Sequence, residues 1–149
     1  MKIWFVLICL STGLAAEPLR ADYFWASKAG EVSQEMCRYG TLALQRSRDP
    51  RVLAEARQLV RDGQLNFQRL ALVAEHRQFP LPTGPTAAQQ LEYVAMAQLQ
   101  DSQFDQAFLR KERECGAALS LCRNQALARS RDPVLSEALR GLDLEAASH

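Results

Sequence analysis

The stretch Arg-Ser-Arg-Asp-Pro occupies residues 46–50 and returns unchanged at residues 129–133. An aspartate followed by a proline suits the start of a helix, because its carboxylate accepts orphan backbone N–H groups and the proline needs no donor there. The arginines before each aspartate suit the end of an incoming helix, where the helix dipole favours positive charge. Each copy therefore predicts an elbow between two helices, and the repeat predicts two helical hairpins.

Apolar residues recur at three- and four-residue steps on both sides of each elbow, and no alternating strand pattern is found. This spacing predicts helices over residues 22–48 and 50–78, a long helix that begins near Gln103 after a cap at Ser102, and a last helix from Pro133 towards residue 147. The stripe of the second helix includes a glycine, Gly63. A glycine inside a helix indicates that a neighbouring helix or a bulky side chain packs closely there.

Residues 79–85 form the clear linker of the chain, because their three prolines remove backbone donors and clash with a preceding helical turn. Thr86 and Gln89 follow with the spacing of a capping box, which predicts a short helix after the linker. The whole pattern predicts an all-α protein: a four-helix bundle made of two repeated hairpins, with a short extra helix in the crossover.

The first 16 residues have the order of a signal peptide, with Lys2, an apolar run and then small residues that end at Ala16. The run is too short to span a bilayer, so we expect cleavage after Ala15 or Ala16 and no transmembrane segment in the mature chain. Residues 17–149 then form a single helical domain. We expect a periplasmic or secreted bacterial protein, with association with the outer membrane as a further option.

Charge and motifs exclude several functions. The net charge is +1, and one basic residue, Lys2, lies in the signal peptide. The mature chain therefore has no net positive charge that would attract nucleic acid. No glycine-rich phosphate loop is present. The two histidines, His76 and His149, lie beside no obvious nucleophile. We therefore expect no catalytic residues, no cofactor and no metal site.

Three cysteines follow the signal peptide, in a compartment that permits disulfides. Cys115 and Cys122 lie seven residues apart on one predicted helix, about 10 Å along its axis, so they cannot bond to each other. The first choice for a bridge is Cys37 to Cys115, because these two residues lie at matching heights if their helices run antiparallel. A parallel arrangement favours Cys37 to Cys122, and three reduced, buried thiols are the remaining alternative.

A series of short motifs resembles the bacterial domain-of-unknown-function family numbered 4142, whose members are often labelled putative outer membrane proteins. The motifs, in chain order, are Glu31-Val32, Leu42-Ala43, Asp49-Pro50, Arg61-Asp62, Leu70-Ala71, Phe104-Asp105 and Asp132-Pro133. The resemblance covers nearly the whole mature chain. It implies a ferritin-like helical bundle in an exported protein and says little about activity.

The chain departs from the family pattern at three histidine positions, where it has Gly63, Cys115 and Glu145. A carboxylate-bridged di-metal centre in a ferritin-like bundle needs Glu-x-x-His pairs, and none occurs here. Glu31 and Glu114 are equivalent in the repeat and form a weak candidate carboxylate pair.

These observations leave two hypotheses about function. The first is a non-catalytic exported protein that binds a partner protein or a small apolar ligand in the cell envelope. The alternative is a metal-handling or redox protein of ferritin-like descent, which uses cysteines and carboxylates in place of histidines.

Overall fold

The computed structural model describes residues 21–142. The predicted signal peptide lies outside the described residues, as do Glu145 and His149. Over the described part the chain is all helical, with five helices and no strand. The helices are α1 (Ala21–Arg46), α2 (Pro50–Arg77), α3 (Ala87–Ala97), α4 (Asp101–Arg129) and α5 (Pro133–Arg140). Among these residues no helix is both long enough and apolar enough to cross a membrane.

Both predicted elbows are confirmed. Asp49 has extended backbone dihedrals, and its side chain accepts a hydrogen bond from the backbone N–H of Arg51 at 2.8 Å. Asp132 does the same for the N–H of Val134 at 3.0 Å. The capping box of α3 is also present, with reciprocal hydrogen bonds between Thr86 and Gln89.

Three helix ends differ from the prediction. Helix α1 ends at Arg46 rather than Arg48, because the residues of the elbow itself leave the helix. Helix α4 begins at Asp101 after Gln100, which makes no side-chain cap, so the prediction that Ser102 caps this helix is wrong. Helix α5 already ends at Arg140, and the backbone N–H of the following Gly141 donates to the carbonyl oxygen of Glu137 at 3.2 Å.

Helix α1 has the most extensive contacts in the described chain and packs against both α2 and α4. Two glycines allow α1 and α2 to approach closely. A Cβ atom built on Gly40 would lie 2.7 Å from Cγ2 of Val60, and one built on Gly63 would lie 2.7 Å from the carbonyl oxygen of Ser33. The predicted close approach at Gly63 is therefore confirmed.

The core lies mainly between α1, α2 and α4, and α5 adds Leu135 and Leu139 to it. The predicted stripe of α4 is buried along its length. Its members are Phe104, Phe108, Cys115, Leu119, Cys122 and Ala126. Burying such large apolar side chains stabilises a fold by about 1.5–3 kcal/mol each.

The linker between α2 and α3 is fixed against α1. Phe79 is buried, and Leu81 fills the space that the missing side chain of Gly30 leaves open. The Nε2 atom of Gln34 donates a hydrogen bond to the carbonyl oxygen of Pro82 at 2.8 Å. These contacts hold residues 79–85 along one side of the α1–α2 pair.

Candidate functional site: a groove beside a buried charged cluster

A groove runs between α1 and α2 and is bounded by the linker. Its volume is about 440 Å³. We call it the α1–α2 groove, and its lining residues are Gln34, Cys37, Arg38, Gln64, Phe67, Gln68, Thr83, Gly84 and Pro85. Phe67 gives it an apolar wall, and three glutamine amides supply donors and acceptors. The groove therefore combines apolar surface with a few polar groups, as small-molecule sites do.

Arg38 is the one charged residue that lines this groove. Its guanidinium lies over the ring of Tyr93, 4.5 Å from the ring centre, and its Nη2 atom donates to Oε1 of Gln90 at 2.8 Å. Its Nη1 atom is buried and has no hydrogen-bond partner among the described residues. Arg38 thus connects the groove to α3, and its Nη1 donor makes no hydrogen bond with the described residues.

A charged cluster is centred on the buried Lys111 of α4, and its member Glu35 lies in a small pocket together with Arg38 of the groove. Lys111 is 9% exposed, and its Nζ atom lies 3.1 Å from both carboxylate oxygens of Glu92 and 3.8 Å from Oε1 of Glu35. The same ammonium group lies 4.8 Å from the ring centre of Tyr39. We call Lys111, Glu35, Glu92 and Tyr39 the Lys111 cluster. It ties together α1, α3 and α4.

Burial sets the protonation of this cluster. Burial raises the pKa of Glu35, which the charge of Lys111 only partly offsets. Burial by itself would lower the pKa of Lys111, but its hydrogen bond to Glu92 and the charge of Glu35 outweigh that effect and raise the pKa. Burial raises the pKa of Tyr39 to about 12. The lysine therefore stays charged, and the fully buried Tyr39 hydroxyl stays neutral, without a hydrogen-bond partner among the described residues.

A second buried acid lies directly after Lys111. Burial raises the pKa of Glu112 to about 7, and a hydrogen bond with Glu55 of α2 contributes to the shift, while Arg113 and Arg51 oppose it. Two carboxyl groups share a hydrogen bond only when one of them is protonated. The Glu55–Glu112 pair thus places a carboxyl group of α2 beside one of α4, where burial favours the protonated form of Glu112.

Sequence reasoning missed these residues, although a signal was present. Lys111 and Glu112 follow Phe108 and precede Cys115, within the helical spacing of the buried stripe of α4. A charged residue at such a position indicates a buried pair. Arg38 and the glutamines of the groove carry no comparable sequence signal.

The three cysteines considered for a disulfide bridge, Cys37, Cys115 and Cys122, are free thiols in the structure. Cys37 is half-buried on the α2 side of α1, where its Sγ atom lies 3.8 Å from the carbonyl oxygen of Val60 and lines the groove. Cys115 and Cys122 are buried in α4. The Cys37–Cys115 bridge and its Cys37–Cys122 alternative stay predictions, which peptide mapping without reduction decides.

Burial raises the pKa of all three thiols, for Cys115 to about 12 and for Cys122 to about 11. A thiol with so high a pKa stays protonated at neutral pH, and only the thiolate is a good nucleophile or metal ligand. Within residues 21–142, no group of three or more His, Cys, Asp or Glu side chains is arranged to hold a metal ion.

The weak candidate pair Glu31 and Glu114 takes part in two different environments. Glu31 accepts hydrogen bonds from Lys28 at 2.8 Å and from Gln89 at 2.6 Å. Glu114 is exposed and lines a shallow depression beside Met96 of α3. No contact between the two carboxylates is among the described interactions, so their pairing stays a prediction.

Comparison with known proteins gives one match. A family model described as a domain of unknown function (DUF4142) matches residues 13–149, so the chain belongs to this family. The expected membership, drawn from the order of the motifs, is confirmed. No curated protein and no solved structure matches the chain.

Proposed function

We propose that this protein is exported to the periplasm or secreted, and that it binds a small apolar ligand in the cell envelope without catalysing a reaction. The α1–α2 groove is the observation that carries this proposal. It has room for a small organic molecule, an aromatic wall at Phe67 and a polar rim of glutamines. We also propose that the helices form a ferritin-like four-helix bundle, which the packing of α1 on α2 and α4 and of α5 on both supports.

The linker favours binding because it preforms the site. Leu81 packs into the space at Gly30, and Gln34 holds the carbonyl oxygen of Pro82, so one edge of the groove is fixed before any ligand arrives. A preformed site loses less conformational entropy on binding than one that must be ordered by the ligand.

Binding can be measured with the neutral fluorophore N-phenyl-1-naphthylamine, excited directly, whose emission rises in apolar surroundings. Gln68→Trp should fill the α1–α2 groove and abolish most of the signal, because Gln68 is exposed and lines it. The matched control is Leu72→Trp, one turn further along α2. Leu72 is 63% exposed and lines a different, apolar depression against α5. Equal signals from the two variants, or a loss only in Leu72→Trp, would contradict the proposal.

Export and the metal-handling alternative have their own tests. Fractionation of cells that express residues 1–149, followed by N-terminal sequencing, should give a mature chain that starts after Ala15 or Ala16.

The purified mature protein should keep its melting temperature when a chelator is added. A structural metal would couple binding to folding, so its removal would lower the melting temperature. Stoichiometric metal that survives dialysis would favour the alternative.

A further inference from the structure

We infer that the otherwise apolar ligand proposed for the α1–α2 groove also carries one anionic group, a carboxylate or a sulfonate, which Arg38 binds. This inference rests on the proposed ligand-binding function and adds the chemical class of the ligand. It follows from three observations: the charge of the groove, the hydrogen bonds of Arg38, and the pairing of the acids nearby.

The groove itself carries one positive charge, although an adjoining smaller pocket that also includes Arg38 is lined by Glu31 and Glu35. The nine lining residues of the groove include Arg38 and no aspartate or glutamate. Gln64 and Gln68 are exposed on the facing side, and their amide groups are able to donate hydrogen bonds to the same anion. A concave surface with a single guanidinium and low-dielectric walls attracts an anion more strongly than an open surface does.

Arg38 has donors to spare. Nη2 is bound to Gln90, whereas Nη1 is buried and has no acceptor among the described residues. A buried donor without an acceptor is costly, and more so when it is charged. A carboxylate or sulfonate in the groove reaches this buried donor once the guanidinium turns towards it, and arginine then offers the bidentate geometry that it favours.

The acids near Arg38 already have partners. Glu31 is bound by Lys28 and Gln89, and Glu35 faces Lys111. Neither carboxylate forms an ion pair with Arg38 in the described part of the chain. The guanidinium therefore forms no ion pair with them, although it still interacts electrostatically with Glu35, and the ring of Tyr93 holds its plane on the α3 side.

A matched pair of fluorophores tests the inference. 8-Anilinonaphthalene-1-sulfonate differs from N-phenyl-1-naphthylamine in its sulfonate group, so the ratio of the two dissociation constants reports the contribution of the charge. We expect the sulfonate to bind the wild-type protein more tightly. Arg38→Gln should weaken sulfonate binding roughly tenfold and leave the neutral probe unchanged, as the loss of one charged hydrogen bond predicts.

Arg57→Gln is the matched control, because Arg57 is exposed on α2 and does not line the groove. It should leave both dissociation constants unchanged. Equal affinities of the wild-type protein for the two probes, or a sulfonate affinity that Arg38→Gln does not change, would overturn the inference. An equal loss for both probes would also overturn it, because Arg38 would then shape the groove rather than bind the anion.

The outcome for the proposed function is separate. If Gln68→Trp abolishes binding of the neutral probe while Arg38→Gln has no selective effect, the groove binds ligands and the charge preference is wrong. If Gln68→Trp affects neither probe, the groove is not the binding site and the proposed function fails first.

Discussion

The two elbows have the same five residues, yet the hairpins around them differ. The first elbow joins helices of 26 and 28 residues, whereas the second joins a helix of 29 residues to one of 8. Both aspartates cap the following helix in the same way. The repeated motif therefore determines the turn, while the residues that follow it determine how far the helix continues.

The first hairpin also contains a close approach of its two helices at glycines. Gly40 and Gly63 bring α1 against α2, and a Cβ at either glycine would meet atoms nearer than 3 Å. In the second hairpin, a Cβ at Gly141 would lie 3.6 Å from the nearest atom, the carbonyl oxygen of Ala138 in α5 itself, so this glycine does not lie at a contact between α4 and α5. The first hairpin depends on missing side chains, and the second depends on apolar burial of Leu135 and Leu139.

The largest effect that follows from this comparison is at Gly63. Gly63→Leu should destabilise the protein by about 1–3 kcal/mol or more. The Cβ atom alone would already meet the backbone oxygen of Ser33 at 2.7 Å, Sγ of Cys37 at 2.8 Å and Cβ of Met36 at 3.0 Å. Urea unfolding followed by circular dichroism measures the change.

Alanine at the two glycines gives the matched control. Gly141→Ala should change the stability little, since its Cβ finds ordinary space. Gly63→Ala should still destabilise, although alanine favours a helix over glycine by about 1 kcal/mol. A gain in stability for Gly63→Ala would show that α1 and α2 separate easily, and the contrast between the hairpins would disappear.

The next effect concerns the protonation of Glu112, whose carboxyl group lies beside Glu55 of the first hairpin. The pKa of Glu112 is raised in the folded state to about 7, above its ordinary value of 4.5, so the folded protein holds this proton more tightly than the unfolded chain. The contribution to stability is fully present below about pH 4.5 and is lost as the pH rises through 7. Glu112→Gln should remove this loss. Between pH 5 and 8, the free energy of unfolding of the variant should therefore fall by about 1–2 kcal/mol less than that of the wild type.

Urea unfolding of the wild type and of Glu112→Gln at several pH values measures this difference. The titration of other groups affects both proteins and cancels when the two are compared. Glu137→Gln on α5 is the control, because the side chain of Glu137 is 84% exposed. It should follow the wild-type curve. If the curve of Glu112→Gln also ran parallel to that of the wild type, the carboxyl pair would not hold its proton in solution.

Much of the fold was predictable because it depends on local chemistry. The Asp-Pro elbows, the capping box at Thr86 and the apolar stripe of α4 each follow from spacing along the chain. The end of α5 was not predictable in this way, because α5 ends at Arg140 whereas the sequence predicted a helix towards residue 147.

The candidate site was not predictable in the same way. The Lys111 cluster brings together residues of α1, α3 and α4, and the groove needs the linker to lie beside Gly30. Such distances between helices are not encoded in local spacing. The predicted sites relied on cysteines and repeat-equivalent acids, whereas the structure brings together a lysine, an arginine and glutamines.

The smallest expected effect distinguishes the two elbow aspartates themselves. Asp49→Ala and Asp132→Ala should each lose about 1 kcal/mol through the missing helix cap. The Asp132 variant should lose slightly more, because this carboxylate also accepts hydrogen bonds from Arg77, at 2.6 Å from Nε and 3.1 Å from Nη2.

Arg77→Ala separates the two contributions, since it removes the ion pair and keeps the cap. The hydrogen bond from Arg77 lowers the pKa of Asp132, so this part of the stability is present at neutral pH and is lost as the pH falls through the lowered value. Thermal unfolding at neutral and at acidic pH measures both effects. If Asp132→Ala lost no more than Asp49→Ala at neutral pH, the contact between the end of α2 and the start of α5 would add nothing. The second elbow would then owe no measurable stability to this ion pair.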